Sequence, residues 1–389
     1  SRGLLSIIVG KALDALRHRT PHGLGDWLKK KSEDLKFFLT DAVGAEHDRE
    51  LNPTQHAMVR DFIETARIEV YLDDFDRGWA GSVSDKRRLS ALLNALRDFN
   101  SEYRSLRLRL ALRSDVYFLV RTSDESTDKI EADVVWYSWQ NKEILAMLVK
   151  RIETYFGRSA DEATLLRKSQ AELGAYLEPI MERRFLGFGH WENIPTERML
   201  MTLIRKRPRD LVKLCSAAAK LTHTRKGEKM NSADFQGIFE SYSTERLQDV
   251  KNEYQTELKN IESLTLGMKP SRAEVREGRG WIYSVNDVLR KLDAIQEQGI
   301  FLDHRGTKLG SKDLLGFLYK INFLTATKTL KKGFVLRKYF EENRYLAGHA
   351  GEFGFEWEVH PAFRWALQPD DLANIFRNLR PSVDSPEDE

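Results

Sequence analysis

The sequence predicts a helix-rich α/β protein. A parallel strand–helix–strand unit comes first, a run of amphipathic helices follows, and a smaller mixed module of helices and strands closes the chain. Three observations carry this. Arg67–Leu72 is a strand rich in β-branched and aromatic residues, and Leu106, Leu108, Leu110 and Leu112 alternate with Arg107, Arg109 and Ala111 in a second strand. Between them Leu89, Leu92, Leu93, Leu96 and Phe99 share one face of a helix that Ser84-Asp85 opens. Strand, helix and strand within about 45 residues make a parallel crossover unit. Beyond about residue 140, apolar residues recur at helical rather than alternating spacing.

The elements read in order as follows. Residues 3–40 are helical, with Leu4, Ile7, Ile8, Ala12, Leu13 and Leu16 in register until Pro21, Gly23 and Gly25 interrupt, and a second helix through Trp27, Leu28, Leu35 and Phe38. Asn52-Pro53-Thr54 starts a helix carrying Met58, Phe62 and Ile63. Ile144, Leu145, Leu148, Val149 and Ile152 form the next stripe, and helical patterns run near 161–180, 196–222 and 232–262. Gly267–Gly280 (GMKPSRAEVREGRG) is polar and basic and reads as a linker. Helices begin again at Val285, Leu289 and Leu292 and at Leu314, Leu315 and Leu318, and Phe355, Trp357 and Val359 alternate in a late strand. Helices followed by a β-hairpin suggest a winged helix. The domains predicted are 1–139, 140–265 and 281–370, with an acidic tail at 371–389 read as disordered.

Composition bounds the function. The chain has 389 residues, more than one core usually holds. Lys+Arg is 62 against Asp+Glu 59, so net charge by itself implies neither a nucleic-acid nor a membrane partner. A single cysteine, Cys215, excludes an internal disulfide framework and a thiolate zinc cluster and suits the cytosol. No apolar run approaches the roughly 18 residues of a membrane span, and no signal-peptide pattern is present.

The densest chemistry is VYLDDFDRGW, Val70–Trp79. An apolar strand stops at Asp73, Asp74 and Asp76, whose like charges repel. The carboxyl edge of a parallel sheet is where ligands sit. There, one carboxylate can hold a hydrated magnesium ion beside phosphates, and a second can orient or deprotonate water. Arg77 would neutralise part of the remaining charge. The neighbouring strand ends in Arg113-Ser114-Asp115, a second polar cluster at the same edge. The competing reading is that these acids cap the next helix or pair with arginines.

Taken together, DDFDRGW, RSDVY, the stretch SDESTDKIEADVVWYSWQNKEILAMLVKRI, RPRDLVKLCSAAA and EVHPAFRWAL resemble a family of bacterial P-loop ATPases. That family is related to the KAP and STAND branches of the AAA+-like NTPases. The resemblance spans roughly residues 60–370. It implies a partial P-loop core with a Walker B turn, a helical lid and a winged helix. It further implies ATP and Mg2+ as cofactors, with Asp73 as the magnesium aspartate, Asp74 in the place of the catalytic glutamate, Arg113 as the sensor and Arg209 as the lid arginine that meets nucleotide. The shorter reach of Asp74 counts against efficient hydrolysis.

One part of the pattern is missing. Such ATPases cradle phosphate in a G-x-x-x-x-G-K-S/T loop. The nearest stretch here is Gly10-Lys11-Ala12, with Leu5 in the place of the first glycine and Ala12 in the place of the hydroxyl residue. Either the loop lies upstream of Ser1, or this is a degenerate member that works as a protein- or DNA-binding scaffold.

The resemblance implies a signalling or antiphage-defence ATPase in the cytoplasm, a homo-oligomer, a separate effector protein and no membrane partner. Nucleic acid could be met through the winged helix, where Lys328, Lys331-Lys332 and Arg337-Lys338 form a basic wing. Other basic segments are Arg205-Lys206-Arg207 and Arg225-Lys226. Trp136, Tyr137 and Trp139 read as packing at a domain junction. Ser123 reads as a turn cap, Cys215 as a buried thiol, and His190 and His360 as packing or surface residues.

Overall fold

Ile68–Leu72 (β1) and Leu106–Leu110 (β2) pair in parallel, Ile68 opposite Leu106 and Leu72 opposite Leu110. The computed structural model describes residues 68–102, 105–122, 125–277, 280–303, 306–330, 333–349, 354–368 and 370–383. The helices predicted before residue 68, Ser123, Lys331-Lys332 and the last six residues lie outside the described residues. The chain is helix-rich with small sheets. It divides into two compact units, the first ending at Val135 and the second starting at Trp136.

In the first unit, Val83–Glu102 (α1) crosses between the two strands. Its apolar stripe buries Leu89, Leu93 and Leu96, as the spacing predicted. Ile68, Val70 and Leu72 pack with Leu96 and Leu108 on that side of the sheet. Ser114–Arg121 (α2) adds Val116, Tyr117 and Val120 to a second cluster around Trp79. The opposite side of both strands is polar. Glu69, Tyr71, Arg107 and Arg109 are exposed there, and the Arg109 guanidinium lies 3.6 Å from Glu69 and 5.9 Å from the Tyr71 ring centre.

The second unit begins with helices. Asn141–Tyr155 (α3) is closed by a capping box in which Glu143 reaches back to the Gln140 N–H. Glu162–Arg167 (α4) and Gln170–Ala175 (α5) are short and capped by Asp161 and Ser169. A two-residue antiparallel ladder joins Arg184–Phe185 (β3) to Ile194–Pro195 (β4). The single helix expected over 196–222 is two, Thr196–Leu203 (α6) and Pro208–Thr224 (α7). The break has a local cause. Pro208 has no N–H and suits the first turn of a helix, while Lys206 takes φ 51° and turns the chain. Ser232–Tyr254 (α8) packs along α7, and Ile261–Gly267 (α9) ends the series.

The polar stretch read as a linker is folded. Arg272–Arg276 (α10) is a short helix capped by Ser271, and the Lys291 ammonium ties it down through Glu274 (2.7 Å) and the Lys269 carbonyl (2.9 Å). Met268 beside it is fully buried. The helix's acid Glu274 serves the fold twice, accepting the Ser271 N–H at the cap and pairing with Lys291.

Val285–Gln298 (α11) and Ser311–Lys320 (α12) then lead into a five-stranded sheet. Its strands are Ile282–Tyr283 (β5), Leu324–Thr329 (β6), Val335–Lys338 (β7), Glu356–Val359 (β8) and Ser382–Val383 (β9), in the order β5-β8-β6-β7-β9. All neighbours are antiparallel except β9, which runs parallel to β7. The tail read as disordered from residue 371 therefore needs correction. Leu372–Arg377 (α14, after Arg364–Leu367, α13) and β9 are ordered, with Ile375, Phe376, Leu379 and Val383 buried. These apolar residues outweigh the Pro, Ser and acidic content that suggested disorder.

Two buried ion clusters organise this unit. Asp210 accepts from the Arg205 Nε (2.9 Å) and from Arg246 (2.8 Å), and all three side chains are almost fully enclosed. Burial alone would raise the Asp210 pKa, but the arginines, Arg205 foremost, hold it well below the carboxylate range. Glu358 receives Arg337 in a two-bond fork (2.7 and 2.9 Å) and also pairs with Arg364. Burial pulls Arg364 down to about 10 against the opposing pull of Glu358, so it stays charged at neutral pH. The basic wing expected over 328–338 thus loses Arg337 to the interior. Lys206, Arg207 and Arg225 of the other basic segments pair with Glu342, Glu253 and Asp234.

His360 is buried beside these cations. The Ala362 N–H donates to its Nδ1 (3.1 Å), which places the proton on Nε2, facing the Tyr339 hydroxyl at 3.0 Å. Burial, followed by Arg337, Arg205 and Arg364, holds its pKa well below the histidine norm.

Two predictions follow from this interior. Glu358→Ala strands two guanidiniums and should cost about 3–5 kcal/mol in urea denaturation. A small loss of about 0.5 kcal/mol would contradict the reading. For His360, the unfolded state takes up a proton near pH 6.5 and the folded state resists it. Stability should therefore be level above that pH and fall as the pH drops through it. In His360→Asn, urea midpoints between pH 7.5 and 5.5 should lose this component of the slope.

Candidate functional site

β1 ends at Leu72, and its ladder continues one step further, where the Ala111 N–H donates to the Leu72 carbonyl (2.8 Å). The two strands therefore deliver their following residues side by side. The chain turns sharply after β1. Asp74 adopts φ 63°, a left-handed conformation that aspartate tolerates better than most side chains. Its N–H donates to Asp73 Oδ1 (2.9 Å). The Arg77 N–H donates to the Asp74 carbonyl and the Trp79 N–H to that of Asp76, each at 3.1 Å. Gly78 at φ 76° lets the chain pass on to Trp79, whose burial in the α2 cluster anchors the turn.

The three acids have different environments. Asp73 and Asp74 are exposed at the carboxyl edge of the sheet. Asp76 is half-buried, and its Oδ2 accepts the Arg113 backbone N–H (2.9 Å), bracing the end of β1 against the end of β2. The Arg113 guanidinium is drawn to Asp115 by a fork of 3.2 and 2.9 Å and lies 3.9 Å from Asp76. The repulsion inferred from sequence is thus partly relieved by one acid turning to the neighbouring strand. Arg77 is exposed and forms no ion pair among the described residues. One turn further on, Asp85 accepts the Ala80 and Ser82 N–H groups and caps α1. Burial raises the Asp85 pKa, but the Ser82 hydroxyl and these N–H groups outweigh it and leave the group below its ordinary value.

Asp73, Asp74, Arg77 and Arg113 are therefore brought together on one sheet edge of the first unit. Arg209 belongs to the second unit, exposed in the first turn of α7 next to the buried Asp210. Sequence reasoning missed the bracing role of Asp76 and the hold of Asp115 on Arg113. Only the spacing Arg-x-Asp hinted at the second, since residues two apart at a helix start can share a fork.

Among the described residues, no group of three His, Cys, Asp or Glu side chains converges as a metal cluster. Asp73, the residue expected to hold a magnesium ion, is an exposed carboxylate at this edge. Cys215 is buried, with its thiol pushed up to about 12 by burial, which removes it as a nucleophile. Among the described residues no helix is long and apolar enough to cross a membrane.

Residues 142–251 match the family model described as the FunZ-associated C-terminal helical domain. The match takes in α3 to α8 and leaves β1, β2 and the five-stranded sheet outside it. No curated protein and no solved structure matches the chain significantly.

The Asp76 brace is testable. Asp76→Ala leaves a part-buried N–H without its acceptor and should cost about 1–3 kcal/mol in the first unit. Hydrogen exchange should speed up at Ala111 and Arg113 and stay unchanged in α7 and α8. Unchanged protection at Arg113 would show that the carboxylate is dispensable.

Proposed function

We propose that this chain binds ATP with magnesium and acts as a switch ATPase of bacterial signalling or defence, similar to the STAND and KAP-type P-loop NTPases. The observation that carries the reading is the side-by-side ending of two parallel strands, one in Asp73-Asp74 and the other in Arg113. Asp73 would hold the magnesium ion through water. Asp74 would orient the attacking water, Arg77 would offset local charge, and Arg113 would sense the terminal phosphate once released from Asp115. The magnesium ion would neutralise phosphate charge. Arg209, exposed while its neighbour Asp210 is structural, is the lid arginine of this reading. α11, α12 and the strands β5, β8 and β6 would form the winged-helix part, enlarged by β7 and β9. The matched family, a C-terminal helical domain, suits a helical region that follows an NTPase-like unit. A cytoplasmic protein that assembles with further copies and hands its signal to a separate effector completes this reading.

A second reading has its own support. The sequence holds no phosphate-cradling loop. The β1–β2 sheet also carries a polar side, Glu69, Tyr71, Arg107 and Arg109, where parallel sheets of NTPases are ordinarily apolar on both sides. On this account the unit is a binding scaffold that does not hydrolyse nucleotide. A nucleic-acid role through β6–β7 would rest on Lys328 and Lys338 rather than Arg337.

Calorimetry with MgATP decides between them. The switch reading expects saturable binding that Asp73→Ala weakens at least tenfold, about 1.4 kcal/mol. Arg209→Ala should weaken it similarly while leaving the melting temperature unchanged, since that side chain is exposed. Absence of binding by the wild type would leave the scaffold reading.

A further inference from the structure

The helical region and the C-terminal module of the second unit meet directly through pairs such as Lys206 with Glu342 and Lys320 with Glu257, and also through one returning stretch of chain. We propose that residues 361–383 form a strap that clamps the helical region 141–267 to the sheet module, so that the two move as a single arm. This inference rests on the second unit alone and is independent of the nucleotide reading.

The strap grips the helical region at three places. The Ala366 N–H donates to Ser243 Oγ in α8 (2.9 Å), and the Ser382 N–H donates to Thr202 Oγ1 in α6 (2.9 Å). Both hydroxyl residues are fully buried, so these backbone donors meet their acceptors out of reach of water. Beside the first bond, Trp365 packs on Phe239 with ring centres 4.7 Å apart, and between the two Phe376 sets its edge against Phe188 and Trp191.

The same stretch grips the sheet. β9 pairs with β7, Ser382 opposite Val335 and Val383 opposite Leu336. The Arg380 carbonyl accepts from Arg337 and the Asn378 carbonyl from Arg364, each at 3.1 Å. Glu358 alone supplies one carboxylate for two guanidiniums, and strap carbonyls take up donors that it leaves over. The strap thus supplies hydrogen-bond partners to both regions at once, with Arg337 Nη1 still unpaired among the described residues. The region matched by the helical-domain family contains Thr202 and Ser243, the two hydroxyls that receive it.

The test uses the full chain with a protease recognition sequence inserted after Glu277, between α10 and β5, and cut after folding. The two pieces should co-migrate in gel filtration at about micromolar concentration and melt in one transition. In the cut protein, Thr202→Val combined with Ser243→Ala removes both acceptors at near-constant volume. The dissociation constant between the pieces, read in mild urea, should rise at least tenfold. Thr202→Ser paired with wild-type Ser243 keeps both acceptors and should restore tight association, which separates loss of the bonds from misfolding. Pieces that part on cutting, or a double variant that associates as tightly as the wild type, would overturn the strap.

Discussion

In both halves of the second unit a single buried carboxylate faces two guanidiniums, Asp210 with Arg205 and Arg246, and Glu358 with Arg337 and Arg364. Such clusters cost several kcal/mol of desolvation per ion and survive only with close geometry and most donors answered. That demand shapes what surrounds them. The Arg205 guanidinium lies 5.5 Å from the Phe363 ring centre, so a helical-region cation also rests on the C-terminal module. Carbonyls of residues 359 and 378 complete Arg364, and that of residue 380 takes one further donor of Arg337, whose Nη1 stays unpaired among the described residues. His360, flanked by these cations, has to remain neutral, and its Nδ1 and Nε2 partners fix the one tautomer that allows it.

This explains which parts of the structure could be read from sequence. The strand–helix–strand unit was legible because its apolar residues follow one period at a time: two for β1 and β2, three to four for α1. The helices from α3 to α8 were legible for the same reason, apart from the splits at Lys168 and Pro208 and the end of α8 at Tyr254. The charged interior was not. Arg205-Lys206-Arg207 and Arg337-Lys338 read as surface patches because lone charges usually stay in water; the acid that claims Arg337 lies 21 residues away, whereas Asp210 stands only five residues after Arg205. One local signal was available. Arg337 stands two positions after Val335 in β7, so alternation puts both on the buried side. The stretch 267–280 misled for a related reason, since its polar residues are spent on caps and on Lys291.

At the sheet edge the position of the acidic turn was legible and its division of labour was not. An apolar strand ending in acids marks a sheet edge whatever those acids do. Asp76 differs from Asp73 and Asp74 only through the Arg113 N–H, a partner 37 residues further along. No local pattern encodes that bond. It follows from the register of β1 on β2, which places the two strand ends together.

The same geometry constrains any switching mechanism. A ligand shifts a conformational equilibrium only by binding two states unequally. A helical region free to swing alone would need a flexible joint near residue 270, and that stretch is helical, capped and tied by Lys291. With the strap also closing the far side, a force applied at the α7 start, where Arg209 is exposed, is borne by α6, the strap and the five-stranded sheet together. Lys206 sits in that same turn and pairs with Glu342 at 2.8 Å, giving the sheet module a direct hold on it.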